Sequence, residues 1–245
     1  GMSGAALALG FAIPLQGKEA EVVNTAFSGR GIELNAWIRI DTSGKVTIIN
    51  HRAEMGQGAY QAVPQIIAEE LEVNLNDVNI VFAEGNSSKY GSQVTGGSST
   101  VRGTYKKLLQ LSATAREMLI QVAAGKWNVP PGECYAENGS VFHTRDAGKK
   151  IGYGELVEEA SRLDPPKEVV LKNLRDYKIL RKPLPRQDIP LKVNGKAIFG
   201  MDKKLPGMLY AVVERNPRFL GKVKSFDDTD TRKIAGVRHV LKVQM

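Results

Sequence analysis

Apolar and polar positions first fall into a clear order from Leu34 onward. Trp37, Ile38 and Ile40, then Val46, Ile48 and Ile49, flank Thr42-Ser43-Gly44 with a strand-like period, which predicts a β-hairpin over residues 34–41 and 45–50. The spacing then changes. Val63, Ile66, Ile67 and Leu71 recur at helical intervals, so a helix is expected over residues 59–73. A second strand, loop and helix follow, with a short strand over 78–83, a loop rich in Gly, Ser and Thr over 84–99, and a long helix over 100–126. Tyr105, Leu108, Leu109, Ala115, Leu119 and Val122 form the apolar stripe of that helix and are read as core.

Beyond Trp127 the pair Pro130-Pro131 ends the helix, Asn138-Gly139 marks a tight hairpin over 135–144, and a further helix is expected over 151–163. Pro165, Pro166, Pro183, Pro185 and Pro190 suit an extended connector between two bodies. From Val193 onward four strand-like segments separated by turn residues predict a small β-rich domain. The organisation expected is an apolar, signal-like arm over 1–33, an α/β (α+β) domain over 34–166, a connector over 167–192 and a β-rich domain over 193–245. Gly1 before Met2 reads as a tag remnant. The apolar run at 5–14 is too short to span a bilayer; it fits either a secretory h-region, implying export to the periplasm, or an arm packed on the domain. No membrane span is expected.

Composition narrows the chemistry. A single cysteine in 245 residues excludes a disulfide framework, a Cys-rich zinc site and an iron–sulfur cluster from this chain. The net charge of +8 is concentrated late: residues 167–245 hold 19 Lys and Arg against 8 Asp and Glu, whereas 1–166 hold 15 against 18. These cations are scattered along patterned segments without an Arg-rich tract or stacking aromatics, so a solvated face or an acidic protein partner is expected, and no nucleic acid.

Two loops carry the candidate chemistry. Gly56-Gln57-Gly58 joins a strand to a helix, where backbone N–H groups and the helix dipole converge on an anion. Gln61 stands where a dinucleotide fingerprint has its third glycine, and the chain has no P-loop. The second loop places Gly96, Gly97, Ser98, Ser99 and Thr100 at a helix start, where the hydroxyls serve either as caps or as ligand contacts. Both loops could face one end of one sheet and grip a large polar ligand. Catalytic groups are sparse: His51, His143 and His239 lack metal-ligand spacing, Cys134 reads as buried, Glu69-Glu70 and Glu158-Glu159 read as solvated helix faces, and Glu54 is the one carboxylate well placed beside a glycine loop. The residues alone thus define a binding half-site without a catalytic set.

Three motifs in order, EMGQG at 54–58, TGGSSTVRG at 95–103 and the segment 185–227 beginning PRQDIPLKVNGKAIFGMD, resemble the molybdopterin-binding large subunits of the xanthine dehydrogenase and aldehyde oxidase family. The likeness is greatest to the isoquinoline 1-oxidoreductase type of beta subunit. What the resemblance implies is a molybdenum–molybdopterin cofactor, with the cytosine dinucleotide form expected for a bacterial member. Gln57 would lie near the metal's oxo or dithiolene ligands, with Gly56 and Gly58 closing on the cofactor and Gly97, Ser98 and Thr100 meeting the pterin and its phosphate. The implied reaction hydroxylates an N-heterocycle or an aldehyde with oxygen from water, passing electrons to [2Fe-2S] clusters on a small partner subunit. Residues 185–227 would belong to a hammerhead-type β domain.

The family's catalytic glutamate segment has no counterpart here. The resemblance therefore implies one piece of a larger site, partnered by the remaining half of the large subunit and a small-molecule substrate. The rival expectation is a non-catalytic module that binds a protein partner. A stand-alone phosphate or nucleotide binder is a third.

Overall fold

A computed structural model describes residues 6–9, 37–215, 217–218 and 220–242. The chain divides into two bodies, Gly1–Ala197 and Ile198–Met245. The first holds the sheets and the long helices.

Its main sheet runs in the order β1 (Ala6–Leu9), β2 (Ile38–Asp41), β3 (Val46–Asn50), β4 (Asn79–Phe82). The predicted hairpin is β2–β3, antiparallel, with Ile38 opposite Ile48 and Ile40 opposite Val46. Asp41 closes its turn by accepting from the Ser43 and Lys45 N–H groups. Part of the N-terminal arm is a strand: β1 pairs antiparallel with β2. Residues 6–9 of the apolar run at 5–14 are thus part of the sheet, and the rest of that run and of the arm lies outside the described residues.

Helix α1 (Ala59–Leu71) crosses from β3 to β4, and these two strands are parallel, so β3–α1–β4 is a βαβ unit. Its apolar stripe of Val63, Ile66, Ile67 and Leu71 is fully buried. After β4 the chain forms a short turn, α2 (Ser87–Tyr90), before α3 (Ser99–Arg102) and α4 (Tyr105–Trp127). The single helix predicted over 100–126 is broken at Gly103-Thr104. The Gly103 N–H donates to the Ser99 carbonyl at 2.8 Å and the Thr104 hydroxyl to the Thr100 carbonyl at 2.5 Å. These two bonds hold a tight turn after which the helix restarts, and a Cβ on Gly103 would collide with the Ser99 carbonyl.

A second sheet, β5 (Cys134–Glu137), β6 (Ser140–His143) and β7 (Lys150–Gly152), is antiparallel throughout. Asn138 and Gly139 both take positive φ at its first turn, as the sequence requires there. Helix α5 (Tyr153–Ala160) follows and packs on α4 and the first sheet. The predicted helix start at 151 moves to Tyr153, because Ile151 and Gly152 pair with β6. The fold of this body is α+β.

Glu69 and Glu70 are not solvated: they are 1% and 0% exposed. A buried carboxylate must be matched by donors, and here the segment read as a connector supplies them. The Glu69 carboxylate accepts from the N–H groups of Lys178, Ile179 and Leu180 at 3.1, 2.7 and 2.8 Å and pairs with the Lys172 ammonium. Glu70 accepts from Lys172 N–H at 3.0 Å and pairs with Arg116 of α4 at 2.7 Å. Residues 170–188 are therefore a strap tied to the back of α1, followed by α6 (Ile189–Val193), and they belong to the first body. In the second body the strand-like segments form no ladder among the described residues, where α7 (Thr229–Lys233) and the turn Gly200–Asp202 are the regular pieces. An extended segment becomes a strand only when a neighbour accepts its backbone hydrogen bonds.

Candidate functional site

Because β3 and β4 are adjacent and parallel, the loops that leave their carboxyl ends emerge side by side. This is the crevice where open α/β sheets bind ligands. Ala83 N–H donates to the Asn50 carbonyl and extends the pairing to the rim. The buried Asn50 side chain reaches across to the Ala59 carbonyl at 2.7 Å, fixing where the first loop enters α1.

Gly56 and Gly58 adopt φ of 103° and 92°, a region that side-chain-bearing residues avoid. The turn lets Glu54 fold under the loop, where its carboxylate accepts from the N–H groups of Gly56, Gly58 and Tyr60 at 2.7, 3.0 and 2.8 Å. Burial pushes the Glu54 carboxyl up, yet those donors and the nearby Arg186 hold it below the usual carboxylate range. The helix N-terminus thus already holds an anion, supplied by its own loop. Gln57 is exposed and turned back on the loop, accepting from Met55 N–H at 2.6 Å and donating to the Ala53 carbonyl at 2.8 Å.

The second loop meets the first at that carbonyl: the Thr95 hydroxyl donates to Ala53 O at 3.3 Å. Gly97 and Ser98 both take left-handed φ, 60° and 52°, and Arg102 donates to the Gly97 carbonyl at 3.2 Å. Thr100 is buried at the start of α3. Its neighbour Ser98 precedes the helix without capping it. Among the described residues, the backbone N–H groups of Gln57, Gly97 and Ser98 have no acceptor. The structure therefore brings the two glycine loops together and leaves donors open on both. Glu54, named in the sequence only by its position, serves as the loop's internal counter-charge.

The strap completes the arrangement. Gln61 of α1 grips its backbone twice, donating to Pro185 O at 3.1 Å and accepting from Gln187 N–H at 2.8 Å. Between those two residues Arg186 reaches the glycine loop, donating to Gly56 O at 3.2 Å and to Glu54 at 3.3 Å, while Asp188 holds its other side. Asp188 is in turn held down to about 2 by Arg186 and, despite partial burial, by Lys192. Sequence reading missed Arg186, Gln61 and Thr95, because each acts over a separation that no local pattern encodes. Cys134 is buried, with its thiol pushed up by burial, and His143 lies in the second sheet, edge-on to Trp127. Among the described residues no group of three or more His, Cys, Asp or Glu could hold a metal ion, and no helix is long and apolar enough to cross a membrane.

A family model described as a molybdopterin cofactor-binding domain matches residues 6–202, and the chain belongs to that family. Among individual proteins, the isoquinoline 1-oxidoreductase subunit beta of Brevundimonas diminuta is 35% identical over 84% of this chain and 31% of its own length. A membrane-bound aldehyde dehydrogenase of Gluconacetobacter polyoxogenes, whose name specifies pyrroloquinoline-quinone, is 34% identical over 97% of this chain and 31% of its own. The chain thus spans about a third of the length of these relatives. The crystal structure of quinoline 2-oxidoreductase from Pseudomonas putida 86 overlaps 53% of this chain and 17% of its own at 27% identity, with a TM-score of 0.41.

Proposed function

We propose that this chain is a cofactor-binding portion of the large subunit of a molybdenum hydroxylase that oxidises an N-heterocycle or an aldehyde. The observation that carries this reading is the junction of the two glycine loops at the Ala53 carbonyl, with open N–H donors on both. Uncharged donors on a rigid rim suit the pterin and dithiolene of a large, acceptor-rich cofactor. When bound, the molybdenum centre would supply the two-electron oxidation, with oxygen from water.

The chain's own residues would bind and orient it. Gly97 and Ser98 would donate from their backbones and the Ser98 hydroxyl, Thr100 would back them, and Gln57 would turn from Ala53 towards the ligand between Gly56 and Gly58. Arg186 and Glu54 would keep the first loop's shape while Gln57 moves. The cytosine dinucleotide form, a [2Fe-2S] partner subunit, the remainder of the large subunit and a hammerhead-type pairing of residues 193–245 belong to the same proposal. The strand-like segments of residues 193–245, which form no ladder among the described residues, would find their strand partners in the remainder of the large subunit.

The test is molybdenum content per chain, by elemental mass spectrometry, of the protein purified with its partners from its host. Near-stoichiometric metal is expected in the wild type, with at least a several-fold loss in Ser98→Ala and Gln57→Ala. Wild-type protein without molybdenum, or variants that retain it fully, would overturn the reading.

A further inference from the structure

Both ends of the Gln61 amide are committed to the strap. Gln61 is 5% exposed, and its side chain donates to Pro185 O at 3.1 Å while accepting from Gln187 N–H at 2.8 Å. A primary amide offers one donor end and one acceptor end, and here each meets a backbone group of the opposite kind on either side of Arg186. Gln187 is held a second time, its own amide donating to Leu75 O at 3.1 Å. The backbone that carries Arg186 is therefore fixed from both sides.

Arg186 spreads its guanidinium over two carboxylates and a carbonyl. Nε and one terminal nitrogen donate to Asp188 at 2.9 and 2.6 Å, the same terminal nitrogen reaches Glu54 at 3.3 Å, and the other donates to Gly56 O at 3.2 Å. Asp188 is 8% exposed and also pairs with Lys192 of α6 at 2.5 Å. Lys192, Asp188, Arg186 and Glu54 thus alternate in charge from α6 to the N–H groups of Gly56, Gly58 and Tyr60. A planar fork sets direction as well as charge, which a flexible ammonium does not. Two glycines give the loop little shape of its own, so the pull on the Gly56 carbonyl and on Glu54 decides it.

We infer that Gln61 is a positioning residue for the first glycine loop: by holding the strap at Pro185 and Gln187 it presents the Arg186 fork to Gly56 and Glu54, with Asp188 steadying the fork. With the fork in place, Gly56 and Gly58 keep their turn and the Gln57 N–H stays open to a ligand. Without it the Gly56 carbonyl is released and the loop takes other shapes. The inference rests on the molybdenum reading only for what the loop holds, since the order of the loop is a property of this chain.

The test is hydrogen exchange at single amides, read by NMR as protection factors on the full 245-residue chain. Protection at Gly56, Gly58 and Tyr60 should fall about tenfold or more in Arg186→Gln and about fivefold or more in Gln61→Leu, the first losing a charged donor and the second two neutral bonds. Residues 63–71 of α1 should keep wild-type protection in both. Arg186 is only partly buried, so its variant keeps the test valid if Gln61→Leu does not fold. An equal fall along the whole of α1 would mean that the contacts stabilise the fold alone, and unchanged protection at the three loop amides would mean that the loop holds itself; either overturns the inference. Gln61→Glu supplies a signature that stability alone does not. An ionised carboxylate cannot donate to Pro185 O, whereas a protonated one again has one donor and one acceptor, and burial against that carbonyl raises its pKa. Loop protection in Gln61→Glu should therefore be low at pH 8 and recover at pH 5. Glu54 and Asp188 are both held below the usual carboxylate range, so the wild-type loop should stay protected over the same interval. Absence of recovery would also overturn the inference. Molybdenum content separates it from the cofactor reading. Wild-type protein without the metal, but with loop protection that depends on Arg186, would sink that reading and leave the positioning role standing. Metal-loaded protein whose loop ignores Arg186→Gln would do the reverse.

Discussion

His51 illustrates how a residue that looks inert in sequence acquires a charge state from its surroundings. Burial, followed by the fields of Arg52 and Lys107, depresses its pKa from 6.5 to about 4. The folded state therefore binds a proton less readily than the unfolded chain, and the stability due to neutral His51 is complete above pH 6.5 and lost as pH falls towards 4. The whole swing is on the order of 3 kcal/mol. Urea unfolding at pH 7 and pH 5 should show the wild type losing stability over that interval, and His51→Gln should lose much less. Equal losses would mean that another group governs the acid limb. Glu54 works in the opposite chemical sense at the same rim: its folded carboxyl is held low, so its contribution persists down to the carboxylate range. His51 and Glu54 were both visible as titratable residues near a glycine loop. What the sequence could not show was that Glu54 points inward to its own loop's N–H groups and that His51 has only one of its two nitrogens satisfied, because both facts depend on side-chain direction.

At the scale of elements, the strap and α1 form one unit. Three consecutive backbone N–H groups converge on Glu69, a second anchor sits at Glu70 with Arg116, and the double amide contact from Gln61 delivers Arg186 to the glycine loop. Burial pushes the Glu69 carboxyl up, but Lys172 and the three N–H groups outweigh it and hold it below its usual range. Glu69→Gln should therefore cost about 2 to 3 kcal/mol, the cost of replacing a charged acceptor buried among donors. Hydrogen exchange should quicken at Lys178, Ile179 and Leu180, while the core of α4 stays protected. Unchanged exchange at those three amides would show that the strap is held by other means. The element types of this body were legible because the apolar period switches cleanly from strand to helix at the glycine loop. The strap was not, since a proline-rich stretch reads as a linker unless one knows that two glutamates on a facing helix are buried and in need of donors.

For the molecule as a whole, the two bodies differ in how well they satisfy their own sequences. Gly1–Ala197 buries its apolar stripes, whereas in Ile198–Met245 the side chains of Met201, Val212 and Leu220 are 95%, 96% and 84% exposed. Brief trypsin digestion of the isolated chain should therefore cut first at Lys203, Lys204, Arg215, Lys222 and Lys224, leaving a resistant fragment that contains the strap. First cleavage between residues 37 and 197 would contradict that ranking. The sequence by itself determined the β2–β3 hairpin, α1, β4, the long helix α4, the β5–β6 hairpin and α5, together with both glycine loops and their family, because hydrophobic period, glycine at positive φ and local motif are properties of neighbouring residues. Only the tertiary structure decided that the loops share the Ala53 carbonyl, that the strap supplies Glu69 with its donors, and that Gln61 sets Arg186 against the glycine loop. Those depend on which distant groups are brought within hydrogen-bonding reach, and burial raises the energetic cost of any group left without a partner.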